Sequence, residues 1–171
     1  MTHFSRLYKK KIYSLFYVGM FCSLIAQSQI KISIKYFEGT TWAASDKDSS
    51  FFKSDTIRFV RLMVKASHNF DNSNDVAGYF SDGDFVTMEF QKTGELVFIT
   101  TKVDSWSIVK KRGKYFWKFN NKHQTLRLYF NNKLFATLKP IHQKKVQIES
   151  EYTDRPPTTT VEITMKKLFK K

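Results

Sequence analysis

Residues 113–138 read GKYFWKFNNKHQTLRLYFNNKLFATL. Tyr115, Trp117 and Phe119 alternate with Phe116 and Lys118. Leu126, Leu128 and Phe130 alternate with Thr125, Arg127 and Tyr129, and Leu134, Ala136 and Leu138 resume the pattern. A period of two is that of a strand with one buried face. Asn120-Asn121-Lys122 and Asn131-Asn132-Lys133 separate the runs, and asparagine tolerates the left-handed backbone of tight hairpin turns. Three strands joined by short turns make an antiparallel meander.

The rhythm extends in both directions, over Phe85 to Leu168. Upstream, Val86, Met88 and Phe90 alternate with Phe85, Thr87 and Glu89. After Lys92-Thr93-Gly94, the run Leu96 to Thr100 is apolar on both faces. Downstream, Val146 to Tyr152 and Thr160 to Lys166 alternate again, on either side of the breaker Asp154-Arg155-Pro156-Pro157. Ile30 to Ala44 alternates at its start, over Ile32, Ile34 and Tyr36, and reads as a first strand. Thr56 to Ala66 fits both a helical face and a strand; its β-branched and aromatic content favours a strand. Ser67 to Asp84 is rich in turn formers and reads as a long loop. The predicted fold is all-β, an antiparallel up-and-down meander of about 8–10 strands. An open sheet of that size exposes edges, so it should close into a barrel. One face of these strands carries Lys, Arg, Glu and Gln, which rules against a lipid-facing barrel and predicts a soluble one.

The N-terminal segment precedes fold reasoning. Arg6, Lys9, Lys10 and Lys11 lead into apolar Ile12 to Ile25, followed by Ala26-Gln27-Ser28. This three-part pattern reads as a signal peptide over 1–28, too short in its apolar part for a membrane span. The domain is then 29–171, with no transmembrane segment after removal and an exported destination, periplasmic or extracellular. Cys22 follows bulky Phe21, which argues against a lipid anchor. It is also the only cysteine, so the domain would lack disulfides, thiolate nucleophiles and cysteine-ligated metals. The chain carries a net charge of +14, of which the four basic residues of the segment account for four. Outside the cytosol no nucleic acid partner is expected, and an anionic envelope surface is the candidate counter-surface.

The glycine and tryptophan of Gly39-Thr40-Thr41-Trp42, opening a meander of this size in an exported chain, resemble the lipocalin-like (calycin-type) barrels. They resemble in particular the small secreted lipocalin-like domain proteins of Bacteroidetes-type bacteria. The usual Gly-x-Trp spacing is one residue longer here. The resemblance implies a barrel closed at one end by Gly39 and Trp42 and open at the other. It also implies a late basic residue over the tryptophan, for which Lys166 and Lys167 are available, and an apolar interior for a lipid-like small molecule.

Chemistry-bearing motifs are sparse. His68, His123 and His142 stand in or beside turns without metal spacing. Asp71, Ser73, Asp75 and Asp82 follow an EF-hand count, but Val76 occupies the position that needs glycine. No nucleophile elbow or phosphate loop occurs, so neither catalysis nor a cofactor or metal is expected. Trp106, Trp117, Phe98, Phe119, Leu128 and Phe130 form the densest apolar set, either a packed core or a ligand-lined cavity. Val97, Ile99, Phe116 and Phe135 suggest an outer apolar patch needing a partner or a covering loop. Lys110, Lys111, Arg112 and Lys114 concentrate charge on one hairpin tip, as a soluble turn or a dock for anions. Two functions stand side by side: a non-catalytic binder of a small apolar ligand, or an envelope-associated module docking anionic surfaces or a protein partner through this tip and the outer patch.

Overall fold

Alternating burial organises the computed structural model, which describes residues 30–63, 76, 78–80, 83–102, 107–109, 113–149 and 156–168. The strands among them are β1 (Thr40–Ser45), β2 (Thr56–Leu62), β3 (Phe85–Phe90), β4 (Leu96–Lys102), β5 (Ser107–Val109), β6 (Tyr115–Asn120), β7 (Thr125–Phe130), β8 (Lys133–Ile148) and β9 (Thr158–Lys167). A one-turn helix, α1 (Ser50–Lys53), is interposed between β1 and β2. The sheet order is β5-β4-β3-β1-β2-β9-β8-β7-β6, and the strand pairings are antiparallel. β4 and β6 then meet: Glu95 bridges Phe116, and the Trp117 N–H donates to the Gly94 carbonyl at 2.9 Å. Eight strands thus form a nearly closed antiparallel barrel of lipocalin-like shape, as the hairpin rhythm predicts. β5 pairs with the other half of β4, over Thr100–Lys102, so the β4–β6 seam opens along its length.

The hairpins follow from turn chemistry. Asn131 and Asn132 both take positive φ (47° and 64°), the conformation a two-residue hairpin turn requires. Gly113 enters β6 with φ of 148°, and a Cβ there would lie 2.3 Å from the Phe130 ring, so only glycine fits. One connection leaves next-neighbour order. β2 pairs with β1 and β9, so the chain from β2 to β3 must cross β1.

The inward set builds the main core. Trp42 and Ala44 of β1, Ile57 and Phe59 of β2, Val86, Met88 and Phe90 of β3 and Leu126 and Leu128 of β7 are all buried there, with Ile163 and Met165 of β9. Its hub is not on a strand. Of Ile30 to Ala44, read from its initial alternation as one strand, only the part from Thr40 is a strand; Ile30 to Tyr36 is irregular and ends in a 3-10 turn over Ile34–Tyr36. Gly39, at φ of +70°, redirects the chain into β1. The segment crosses the barrel mouth, where its alternation serves to bury Ile32 and to seat Phe37 fully inside. The Phe37 ring lies 5.6 Å from Trp42, 5.2 Å from Phe90 and 5.7 Å from Phe119, tying β1, β3 and β6 at one point. The opposite end, expected open, is covered by α1. Phe51 is buried there against Phe59 and Phe98, with ring centroids at 6.2 and 5.4 Å.

A second apolar cluster lies on the outside. Ala43, Val60 and Leu62 face away from the barrel axis and pack with Val76, Phe80, Phe85 and Ile148. The 67–84 segment, expected as a loop, therefore includes a helical turn that straps this face, with the Phe80 N–H donating to the Val76 carbonyl at 3.1 Å. Tyr79 fastens the strap. Its hydroxyl donates to Glu162 Oε2 at 2.6 Å, while Lys144 (3.3 Å) and Arg58 (3.7 Å) balance the buried carboxylate. Burial, followed by the hydrogen bond and the negative charge of Glu162, raises the Tyr79 pKa well above its usual 10.0.

Truncating Phe37 to alanine should cost about 3–5 kcal/mol in urea unfolding, against less than about 0.5 kcal/mol for the exposed neighbour Ile34→Ala. Tyr79→Phe should cost about 1 kcal/mol or more, since a nearly buried carboxylate loses a donor. Equal midpoints for Phe37→Ala and Ile34→Ala would refute the hub.

Candidate ligand-binding site

The structure divides the predicted apolar set into two packing groups. Trp117 and Phe119 belong to the Phe37 end, where Trp117 meets Phe90 edge-on at 5.4 Å. Phe98 and Phe130 belong to the Phe51 end, bridged by Tyr115, which stacks on Phe98 at 5.0 Å and lies 4.7 Å from Phe130. Leu128 is fully buried in the shared core. Trp106 falls outside the described residues, as do Lys110, Lys111 and Arg112 of the basic tip, His68 and the acidic loop with Asp71, Ser73, Asp75 and Asp82. Lys114 of the tip is exposed, and its N–H donates to the Asn131 side chain at 2.9 Å.

The two described indoles offer a ligand no donor. An indole has a single N–H. That of Trp42 donates to the Thr40 hydroxyl at 2.7 Å, and that of Trp117 to the Gln91 carbonyl at 3.0 Å. Neither Lys166 nor Lys167 lies over Trp42. Lys166 is exposed on the outer wall, and Lys167 is at the far end of β9, paired with Leu138. The cation level with Trp42 is Arg61, its cross-strand partner. Arg61 and a hydrogen bond from Gln143 partly offset the burial that raises the Tyr36 pKa.

Among the described residues, two hollows adjoin the core. One, of about 310 Å³, sits in the open part of the β4–β6 seam between Leu96–Ile99 and Gly113–Tyr115. Of the five described apolar candidates, Phe98 alone lines it. Val97 and Ile99 face this groove from β4, but Phe135, expected with them on the outside, turns inward. The register shift at Leu128/Tyr129 leaves Phe135 against Phe98 and Tyr115, at 6.2 and 6.0 Å. Burial in this stack raises the Tyr115 pKa.

The other hollow, of about 240 Å³, lies under α1 at the covered barrel end. Phe51, Phe52, Leu134, Phe135, Thr137 and Leu168 line it, with Ala136 at its floor. Lys167 is the single ionisable residue of that lining. Its Nζ donates to the Phe51 (3.0 Å) and Phe52 (2.7 Å) carbonyls, groups that a one-turn helix leaves without intrahelical partners. Desolvation by burial lowers the Lys167 pKa, and the negative charge of Asp55 opposes the shift. Sequence reasoning missed this site. The signal available was Phe51-Phe52 directly after the polar Asp46–Ser50 loop, two large apolar residues outside any alternating run.

Among the described residues, no three His, Cys, Asp or Glu side chains converge on a metal-sized space. His123 and His142 are both exposed, one in the β6–β7 turn and one on the β8 wall. What these hollows can do chemically is take up an apolar group beside charged side chains, Lys167 under α1 and Glu95 with Lys114 at the seam.

Lys167→Met should cost about 1–3 kcal/mol by leaving two carbonyls short of a donor. The cost should also depend on pH. The unfolded chain keeps the lysine proton up to its ordinary pKa of 10.5 and the folded one releases it earlier, so native stability rises with pH across that interval. The methionine variant lacks this rise, and urea unfolding from neutrality to 10.5 measures the widening gap. A gap independent of pH would mean that Lys167 holds its proton equally in both states.

Neither a family model, nor a curated protein, nor a solved structure matches the chain.

Proposed function

We propose that this protein is a lipocalin-like, non-catalytic binder of a small apolar molecule, taken up at the barrel end beneath α1 and not along the barrel axis. The observation that carries this reading is the 240 Å³ hollow walled by Phe51, Phe52, Phe135, Leu134 and Leu168. Its rim is already apolar and open to solvent, since Phe52 and Leu168 are 43% and 39% exposed. Exposed aromatic and aliphatic groups beside an apolar recess are the usual mark of a ligand mouth. The axis itself is occupied by Phe37 from one end and Phe51 from the other. The volume limits the ligand to a small molecule or the end of a longer chain. The Lys167 ammonium favours a ligand that brings an acidic group to that wall.

An exported destination after a signal peptide over 1–28 belongs to the same proposal. It rests on the basic, apolar and small-residue sequence of that segment. A binder of this kind needs no convergent acid, base or nucleophile, in keeping with the sparse motifs of the strands.

Native mass spectrometry of protein from its own source should show a retained small molecule, and anilinonaphthalene sulfonate should bind saturably with blue-shifted emission. Ala136→Phe, filling the floor, should weaken probe binding by about tenfold or more, and so should Phe52→Ser at the exposed rim, which leaves the core intact. Probe affinity unchanged in both variants would overturn the site.

A further inference from the structure

The four strands β6 to β9 carry eight lysines and arginines but one carboxylate, Glu162. That carboxylate is 2% exposed and already engaged by Tyr79, Arg58 and Lys144. Alternation sends most of these cations outward. Lys118 stands directly opposite Arg127 across β6–β7, and Lys139 opposite Lys166 across β8–β9. Like charges opposed on adjacent strands repel and destabilise a sheet. A surface that is only solvated has no need to place cations in facing pairs with no acid between them.

The same wall presents apolar groups. Tyr129 and Phe116 are half-buried beside the cations, with the Lys118 ammonium 5.9 Å from the Tyr129 ring centre. The register shift between Pro140 and His142 sets two residues of β8 against one of β9, and Ile141 stands out at this bulge, 47% exposed. An aliphatic side chain raised among lysines gives nothing to a nucleic acid, which is read by stacking and hydrogen bonds. It fits the boundary between lipid headgroups and acyl chains, where cations meet phosphate and apolar groups enter below.

We infer that the β6–β9 wall is a docking surface for an anionic lipid bilayer, with Lys118, Arg127, Lys139 and Lys166 meeting headgroup phosphates and Ile141 entering the interface. This goes beyond the ligand-binding reading and does not depend on it. It places an anionic contact on the sheet, apart from the hairpin tip of Lys110, Lys111, Arg112 and Lys114.

The test is cosedimentation of the full chain with vesicles of phosphatidylcholine alone or mixed with phosphatidylglycerol. The protein should partition onto the mixed vesicles only, and raised salt should release it. The triple variant Lys118→Glu, Arg127→Glu, Lys166→Glu should lose about a hundredfold in partitioning. A control of equal charge change on exposed residues elsewhere (Lys35→Glu, Lys47→Glu, Lys92→Glu) should lose far less. Ile141→Ser, which alters no charge, should weaken binding several-fold. Equal losses in the two triple variants would overturn the proposal, because net charge alone would then explain binding. Absence of vesicle binding with retention on single-stranded DNA or heparin would overturn it too. Anilinonaphthalene sulfonate affinity is read on the same variants and should not change, which separates this surface from the α1 hollow.

Discussion

An eight-stranded ring has an axis that must be filled, and here a side chain from outside the ring does it. Phe37 reaches in from the segment across the mouth and touches aromatic rings on β1, β3 and β6, strands that do not all neighbour each other in the sheet. The seam between β4 and β6 is closed by little backbone hydrogen bonding, one bridge and the Trp117-to-Gly94 bond. The barrel therefore depends on axial packing to hold its two sheet ends together. Phe119 of β6 and Phe90 of β3 both lean on the same ring, which couples the two sides of the seam through the core. Burial of that much aromatic surface outweighs a few ladder bonds, each of which contributes only about 1 kcal/mol net.

The outer strap follows from the exchanged places of β1 and β2. Because β2 lies between β1 and β9, the chain must cross β1 to begin β3, and the crossing segment needs an apolar floor. Ala43, Val60 and Leu62 supply it, so these strands are buried on both faces. Glu162 is the polar fixture of that floor. A carboxylate at 2% exposure is costly unless donors and cations surround it, and Tyr79, Lys144 and Arg58 do so from three separate elements. The arrangement fixes where the strap sits more than it adds to stability.

The legible parts of the fold are those whose burial is one-sided. β6 and β7 alternate cleanly because one face meets the core and the other is largely open to water, and Asn131-Asn132 marks its turn by backbone preference alone. Thr56 to Ala66 was ambiguous for the opposite reason: a strand apolar on both faces has lost its period, and only β-branched content pointed to β2. Ile30 to Tyr36 shows the converse. Alternation there records a segment lying across the barrel mouth with one side inward, and nothing in the pattern distinguishes that from a strand. The site was least legible, because its walls come from α1, the start of β8 and the end of β9, of which Phe51 and Lys167 lie 116 residues apart along the chain. Trp117, Phe119 and Leu128 were visible as an apolar set, but an inward residue reads the same whether it fills space or encloses it.

That last ambiguity is resolved at the level of geometry by where the plugs enter. With Phe37 seated from one end and Phe51 from the other, the axis is taken up by aromatic rings, and the space found among the described residues lies where the packing is imperfect. One such place is the widening β4–β6 seam. The other lies under α1, where a four-residue helix is too short to cover the barrel end, and its carbonyls are met by Lys167 from below. A helix one turn long has little intrinsic stability, so the cover over the hollow is held by Phe51 burial and by that ammonium. The hollow is thus covered by an element with few internal bonds of its own, while the strands that carry the outer cations are tied into a continuous ladder. The two proposed surfaces differ in this mechanical sense as well: one is a rim that can yield to an incoming molecule, the other a rigid wall that meets a partner as it stands.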